Sequence, residues 1–142
     1  MENTLMGTYY HNIDVKGRLN FPTKLRDVLG DDFFVTKGLD ECLVVYSKDE
    51  WQLLIDKVKQ LPLTKGRNIS RFLFAGASEL NSDKQGRVLI PQHLREFAML
   101  EKDIVIIGAL NRVEIWNKNK WEEQNNSFIN DSLEDVMEEL GF

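Results

Sequence analysis

Two short stretches carry the residue types best placed to do chemistry: Asp14-Val15-Lys16-Gly17-Arg18 and Asp83-Lys84-Gln85-Gly86-Arg87. An aspartate at the first position of a tight turn can accept backbone N–H bonds through its carboxylate. A glycine three residues later supplies the positive φ that a bulged hairpin requires, without a Cβ clash. Such turns hold Lys16 or Lys84 at the tip and set Arg18 or Arg87 just beyond the bulge. Asp14 and Asp83 are expected to accept from the following arginine and aim its guanidinium outward. An arginine held in this way can grip a phosphate or a guanine edge through two parallel hydrogen bonds. Asp14, Gly17, Asp83 and Gly86 thus shape the turns, while Lys16, Arg18, Lys84 and Arg87 are the candidate contact residues.

A single Asp–Gly turn followed by arginine is ordinary hairpin grammar. Its recurrence changes the reading, because the match extends through Pro22-x-x-Leu25-Arg26 and Pro91-x-x-Leu94-Arg95. After a one-residue shift, the register pairs Val35 with Val105, Gly38 with Gly108, Lys48 with Lys118 and Trp51 with Trp121. The chain is therefore a covalent pseudo-dimer that displays one basic turn twice. Two related turns in such a unit can address adjacent sites on duplex DNA. The copies differ in detail: Val15-Lys16 faces Lys84-Gln85, so the loops need not contact DNA equivalently. Asn20 stands where the second copy has Leu89, which predicts that the two halves are not packed alike.

The elements that must position these turns follow a common order in each half. Tyr9 to Ile13 and Leu19 to Phe21 read as a strand pair around the first turn, and Pro22 opens a helical turn, Thr23 to Leu29, that Gly30 stops. Phe33 to Thr36 and Leu43 to Tyr46 form a β-rich pair around Gly38 and Asp40. Ser47 and Glu50 make a capping box for a helix carrying Trp51, Leu54, Ile55, Val58 and Leu61, which Pro62 ends. The second half repeats the pattern with strands near Glu79–Leu80, Val88 to Ile90, Ile104 to Ile107 and Val113 to Trp116. Its long helix begins at Asn117 as cap. A linking helix over 68–75 joins the halves. Ile129, Leu133, Val136 and Leu140 form an apolar stripe against an acidic face, predicting an amphipathic C-terminal helix. Such stripes, and the two tryptophans, more often pack into a core than form subunit contacts. The organisation is a first repeat with flanking helix over 1–62, a linking helix over 63–77 and a second repeat with C-terminal helix over 78–142, together one compact unit.

Bulk properties restrict the function classes. At 142 residues, 42% hydrophobic and 29% charged, the chain can build a real core. The run from Ile104 to Leu110 is too short to span a bilayer, and Met1-Glu2-Asn3-Thr4 lacks the basic and apolar regions of a secretion signal. Cys42 alone permits no internal disulfide, suits a reducing cytoplasm, and beside Leu43 and Val44 is expected to pack as a small apolar residue. The net charge of −5 argues against an anionic partner until its distribution is considered. Beyond Lys120 every charged residue is acidic, so residues 1–120 carry a slightly positive balance, and local patches decide whether phosphate is attracted. Paired aspartates could share a proton in acid catalysis. Here each is followed by Lys and Arg on an exposed turn, which keeps both ionised. His11 and His93 are read as surface histidines, no metal-ligand spacing is present, and neither an enzymatic role nor a cofactor is expected.

With these residues in view, the chain resembles the MraZ family of bacterial transcriptional regulators across essentially its whole length. The resemblance is carried by Asp14-x-x-x-Arg18 and Asp83-x-x-x-Arg87, Ile90-Pro91-x-x-Leu94-Arg95, Gly38-Leu39-Asp40-x-Cys42-Leu43 and Leu110-Asn111-Arg112-Val113-Glu114-Ile115-Trp116. It implies an α+β fold: two interleaved AbrB-like, swapped-hairpin halves forming a small pseudo-twofold β-barrel with flanking helices. It implies subunits assembled into a ring, located in the cytoplasm on the nucleoid. It also implies binding to short direct repeats upstream of the protein's own division and cell-wall operon, usually as a repressor. Arg26 and Arg95 enter as supporting cations beside Lys16, Arg18, Lys84 and Arg87. The rival reading is an antitoxin-like or structural protein-interaction module, since fold alone does not decide function.

Overall fold

The computed structural model describes residues 4–142, so Met1, Glu2 and Asn3 of the leader reading fall outside the described residues. Among the described residues, no helix is long and apolar enough to cross a membrane. The first half contains β1 (Leu5–Asn12), β2 (Arg18–Asn20), α1 (Thr23–Leu29), β3 (Asp32–Lys37), β4 (Leu43–Ser47) and α2 (Lys48–Lys59). After α3 (Leu63–Leu73) come β5 (Ser78–Asn81), β6 (Arg87–Leu89), α4 (Gln92–Phe97), β7 (Asp103–Leu110), β8 (Val113–Asn117), α5 (Lys118–Ser127) and α6 (Asp131–Glu139).

Local chemistry sets many of these boundaries. Pro22 and Pro91 precede α1 and α4 with φ near −57°, the value their rings favour, and Gly30 ends α1 at φ 90°. The Ser47 hydroxyl accepts from the Glu50 amide at 3.2 Å, and the Asn117 side chain accepts from the Lys120 amide at 3.1 Å. Each satisfies an N–H that the first helical turn leaves without an intrahelical partner. The linking helix starts earlier than the apolar spacing suggested, at Leu63, because Pro62 serves α3 as an N-terminal residue as well as ending α2.

Every strand pairing is antiparallel, in a six-stranded order β1-β7-β8-β4-β3-β5 and a separate ribbon β2-β6. Replacing each strand by its copy in the other half reads the six-stranded order backwards onto itself. A pseudo-twofold axis thus passes between β4 and β8 and between β2 and β6. Each half lends its first strand to the other, β1 to β7 and β5 to β3.

Two expectations need correction. The hydrogen-bonded sheet is open, with β1 and β5 as its edges, rather than closed as a barrel. The Asp14 amide bonds the Arg18 carbonyl, but no ladder continues from it: β2 spends its backbone groups on β6. The register also differs by one residue in the third strand of each half. Strand pairing makes Ile106, not Val105, the equivalent of Val35, and Lys37 the equivalent of Gly108. A one-residue slip moves a side chain to the opposite face of a sheet. Val35 and Ile106 accordingly share the main core, while Val105 lies in a second cluster.

The main core lies between the sheet, the ribbon and the short helices, and includes Phe33, Leu43, Ile90, Leu94, Ile106 and Ile115. The second cluster gathers Cys42, Val44, Val105, Ile107 and Trp116 under Trp121 of α5. Burial, above all, pushes the Cys42 thiol up to about 12, which makes it a packing residue as expected. Thr36, fully buried, donates its hydroxyl to the Leu73 carbonyl at the end of α3 and ties the linking helix to β3.

The C-terminal stripe does not join a core. Ile129 just before α6, Val136 within it and Leu140 at its end are 69%, 51% and 72% exposed. Trp51 is buried in the first half, whereas Trp121 is half-buried against Trp116.

Candidate nucleic-acid interface

The two basic turns are built alike, atom for atom. Asp14 Oδ1 accepts from the Lys16 amide at 3.0 Å and the Arg18 amide at 2.9 Å, and Oδ2 accepts from Arg18 Nε at 2.9 Å. Asp83 Oδ1 accepts from the Gln85 amide at 2.8 Å and the Arg87 amide at 2.9 Å, and Oδ2 accepts from Arg87 Nε at 3.0 Å. The backbone closes each loop through Gly17 N–H to Asp14 O and Gly86 N–H to Asp83 O, both at 3.0 Å. Gly17 and Gly86 sit at φ 90° and 79°, where a side chain is strained.

One carboxylate therefore organises the turn and holds the arginine by Nε alone. Among the described residues, Nη1 and Nη2 of Arg18 and Arg87 have no protein acceptor, so each fork is available to an incoming pair of acceptors. The bond from the arginine amide, helped by its side chain, holds each aspartate carboxyl below its ordinary value. Each pseudo-symmetric carboxylate thus has its own arginine.

Arg26 and Arg95 have a role that sequence reading missed. Arg95 Nε donates to the Ile90 carbonyl at 2.9 Å, and Arg26 Nε to the Phe21 carbonyl at 3.2 Å. Their guanidinium groups lie so close under the opposite turns that a Cβ on Gly17 would stand 2.6 Å from Arg95 Nε, and one on Gly86 2.7 Å from Arg26 Nη2. The Ile90 amide donates to the Gly17 carbonyl at 2.8 Å and the Phe21 amide to the Gly86 carbonyl at 3.1 Å. Each turn is braced by the other half of the chain. The repeat pairs Gly17 with Gly86 and Arg26 with Arg95, and only the exchange of strands sets Arg95 under Gly17 and Arg26 under Gly86.

Lys16 and Lys84 are exposed, at successive rather than equivalent turn positions, and no carboxylate among the described residues pairs with either. His11 lies half-buried on β1. His93 is exposed on α4, with Nε2 at 2.8 Å from the Gly76 carbonyl. Asn20 and Leu89 are both exposed on the ribbon. Their difference is a surface difference, contrary to the packing expectation, because both alternate outward from the buried Leu19 and Val88.

Comparison with known proteins places this geometry in context. A family model described as "MraZ protein, putative antitoxin-like" matches residues 4–68 and 73–140. A protein of Clostridium beijerinckii named transcriptional regulator MraZ is 55% identical over 139 residues, covering 96% of this chain and 98% of the relative. Proteins of the same name from Caldanaerobacter subterraneus subsp. tengcongensis and Heliobacterium modesticaldum are each 54% identical, covering 96% and 95% of this chain and the same shares of the relatives.

Proposed function

The chain belongs to the MraZ family, and from that premise we propose that it is a transcriptional regulator that grips duplex DNA through its two basic turns. One observation carries the reading: each turn uses a carboxylate to fix an arginine by Nε while leaving both terminal nitrogens unpaired among the described residues. Such a fork matches a phosphate or the O6 and N7 of guanine. Lys16 and Lys84 add positive charge beside it, and Arg26 and Arg95 support the turns from beneath. Their contribution to affinity is mainly positional.

The target is short direct repeats upstream of the protein's own division and cell-wall operon, and the output is repression. The protein works in the cytoplasm on the nucleoid, as a ring of identical subunits. Two features favour assembly: the bare apolar stripe on α6 offers a contact surface to a second copy, and a ring turns modest contacts into avidity across spaced repeats. Bound phosphates release counterions, so affinity falls steeply with salt.

A mobility-shift assay on the DNA upstream of the protein's own reading frame, against a scrambled duplex, tests the proposal. Selective binding that weakens in Arg18→Ala and Arg87→Ala supports it. Equal binding to both duplexes replaces it with nonspecific nucleoid association, and binding to neither favours an antitoxin-like or structural interaction module.

A further inference from the structure

The ribbon between the two turns presents four side chains on one face. β2 contributes Arg18 and Asn20, β6 contributes Arg87 and Leu89, and Leu19 and Val88 between them are buried beneath. The register sets Arg18 opposite Leu89 and Asn20 opposite Arg87. The arginines therefore occupy one diagonal of the face and Asn20 with Leu89 the other. Diagonal neighbours on paired strands are about 7–8 Å apart, close to two base-pair steps of duplex DNA.

The pseudo-twofold axis crosses this face between Leu19 and Val88. It exchanges Arg18 with Arg87, which leaves the chemistry unchanged. It also exchanges Asn20 with Leu89, which does not. Neither side chain serves the core: Asn20 is exposed and Leu89 is 56% exposed. The same break in symmetry continues outward at the turn tips, where Val15, 95% exposed, answers Lys84.

We propose that Asn20 and Leu89 read base edges in the major groove between the two arginines and give the recognised DNA its direction. The inference rests on the DNA-binding reading above. A two-stranded ribbon fits the major groove, which is about 12 Å wide. Asn20 presents the amide that pairs with adenine N6 and N7, and Leu89 presents methyl groups suited to a thymine methyl. Charge complementarity favours nucleic acid on this face. Lys16, Arg18, Lys84 and Arg87 rim it, and its flanking carboxylates, Asp14 and Asp83, are each paired with an arginine. With arginines alone, a twofold surface would accept a site equally in both orientations. Asn20 and Leu89 make one orientation preferred, so the bound sequence is not a palindrome.

The test is affinity selection from randomised DNA duplexes with the full-length protein, its N20A/L89A variant and the exchange variant N20L/L89N. Binding to a scrambled duplex and its salt dependence are measured in parallel. Wild type is expected to enrich a non-palindromic sequence. The N20A/L89A variant keeps its affinity for scrambled DNA and its salt slope, yet loses about tenfold or more of its preference for that sequence, the scale of one or two base contacts. The exchange variant keeps the arginine-contacted bases and reverses the asymmetric ones. Thermal melting checks that both variants fold, and Leu89→Met, which keeps an apolar contact, should retain the preference. A double variant that selects the same sequence within twofold of the wild-type ratio overturns the proposal, as does a palindromic wild-type preference; both leave the basic-turn reading standing. Failure of wild type to enrich any sequence removes both.

Discussion

In the first half, Trp51 stacks on Phe34 with ring centroids 5.1 Å apart, and Phe74, just past α3, covers it edge-on at 5.1 Å. In the second half, the matching Trp121 tilts against Trp116 at 5.5 Å, and the segment that follows, from Ile129 through α6, leaves Ile129, Val136 and Leu140 in solvent. The basic turns of the same two halves agree in every hydrogen bond to within about 0.2 Å. A turn is closed by contacts within five residues, so a duplicated sequence reproduces it. A helix layer depends on what the rest of the chain offers it to cover, and there the halves part. α3 finds β3 and Trp51 within its own chain; α6 leaves Val136 and Leu140 exposed.

The largest expected effect tests the agreement between the turns. The double variant R18A/R87A should lose specific DNA binding by a factor of about 30 or more, on the order of 2–6 kcal/mol, because each bidentate contact discriminates by about 1–3 kcal/mol. Each single variant should lose about half of that free energy. Mobility shifts report this, and an unchanged circular dichroism spectrum confirms the fold. A single variant that matches wild type would show that one turn alone faces DNA.

The helices should differ where the turns agree. Trp51→Ala removes a buried ring and should cost about 3–5 kcal/mol in chemical denaturation. Trp121→Ala removes a half-buried one and should cost clearly less. Equal losses would mean that α5 is covered as fully as α2, which in this protein requires a second copy. In line with that, Leu140→Glu should lower the assembly mass in analytical ultracentrifugation without destabilising the single chain.

A smaller asymmetry lies beneath the turns. The three atoms nearest a Cβ at Gly86 all belong to the flexible end of Arg26, whereas one at Gly17 also stands 2.7 Å from the Ile90 carbonyl oxygen. Both glycines have positive φ, so Gly86→Ala should cost about 1–2 kcal/mol and Gly17→Ala roughly 2–4 kcal/mol, since backbone must also move. Thermal melts of the two variants should separate in that order.

The smallest effect is the response to acid. The arginine bonds depress the folded-state values of Asp14 and Asp83 below 3.8, so their contribution is fully present above that value. It is lost only as pH falls through the depressed values. NMR titration of the two carboxyl carbons should show both transitions below 3.8 and together. A separation would mark the turns as electrostatically unequal.

Much of the site was legible because its grammar is local. Asp14, Gly17 and Arg18 fix their own loop, the spacing of Ser47 and Glu50 gave the cap of α2, and Pro22 and Gly30 bracketed α1 at the observed residues. The bracing position of Arg26 and Arg95, named in sequence only as supporting cations, was not legible, because Arg26 meets Gly86 only after the halves exchange strands. The repeat register slipped by one residue at Val35, since both Val105 and Ile106 are apolar and composition alone cannot tell which face of β7 each takes.

By itself, the sequence determined the duplicated turns, most of the element order and the family, all of which depend on contacts between near neighbours or on whole-chain similarity. Only the tertiary structure decided which half each strand serves, what lies under each glycine and which apolar stripe stays bare. Those outcomes depend on partners far apart in the chain, and a backbone donor or apolar face is satisfied equally well by any partner of the right shape until the fold selects one.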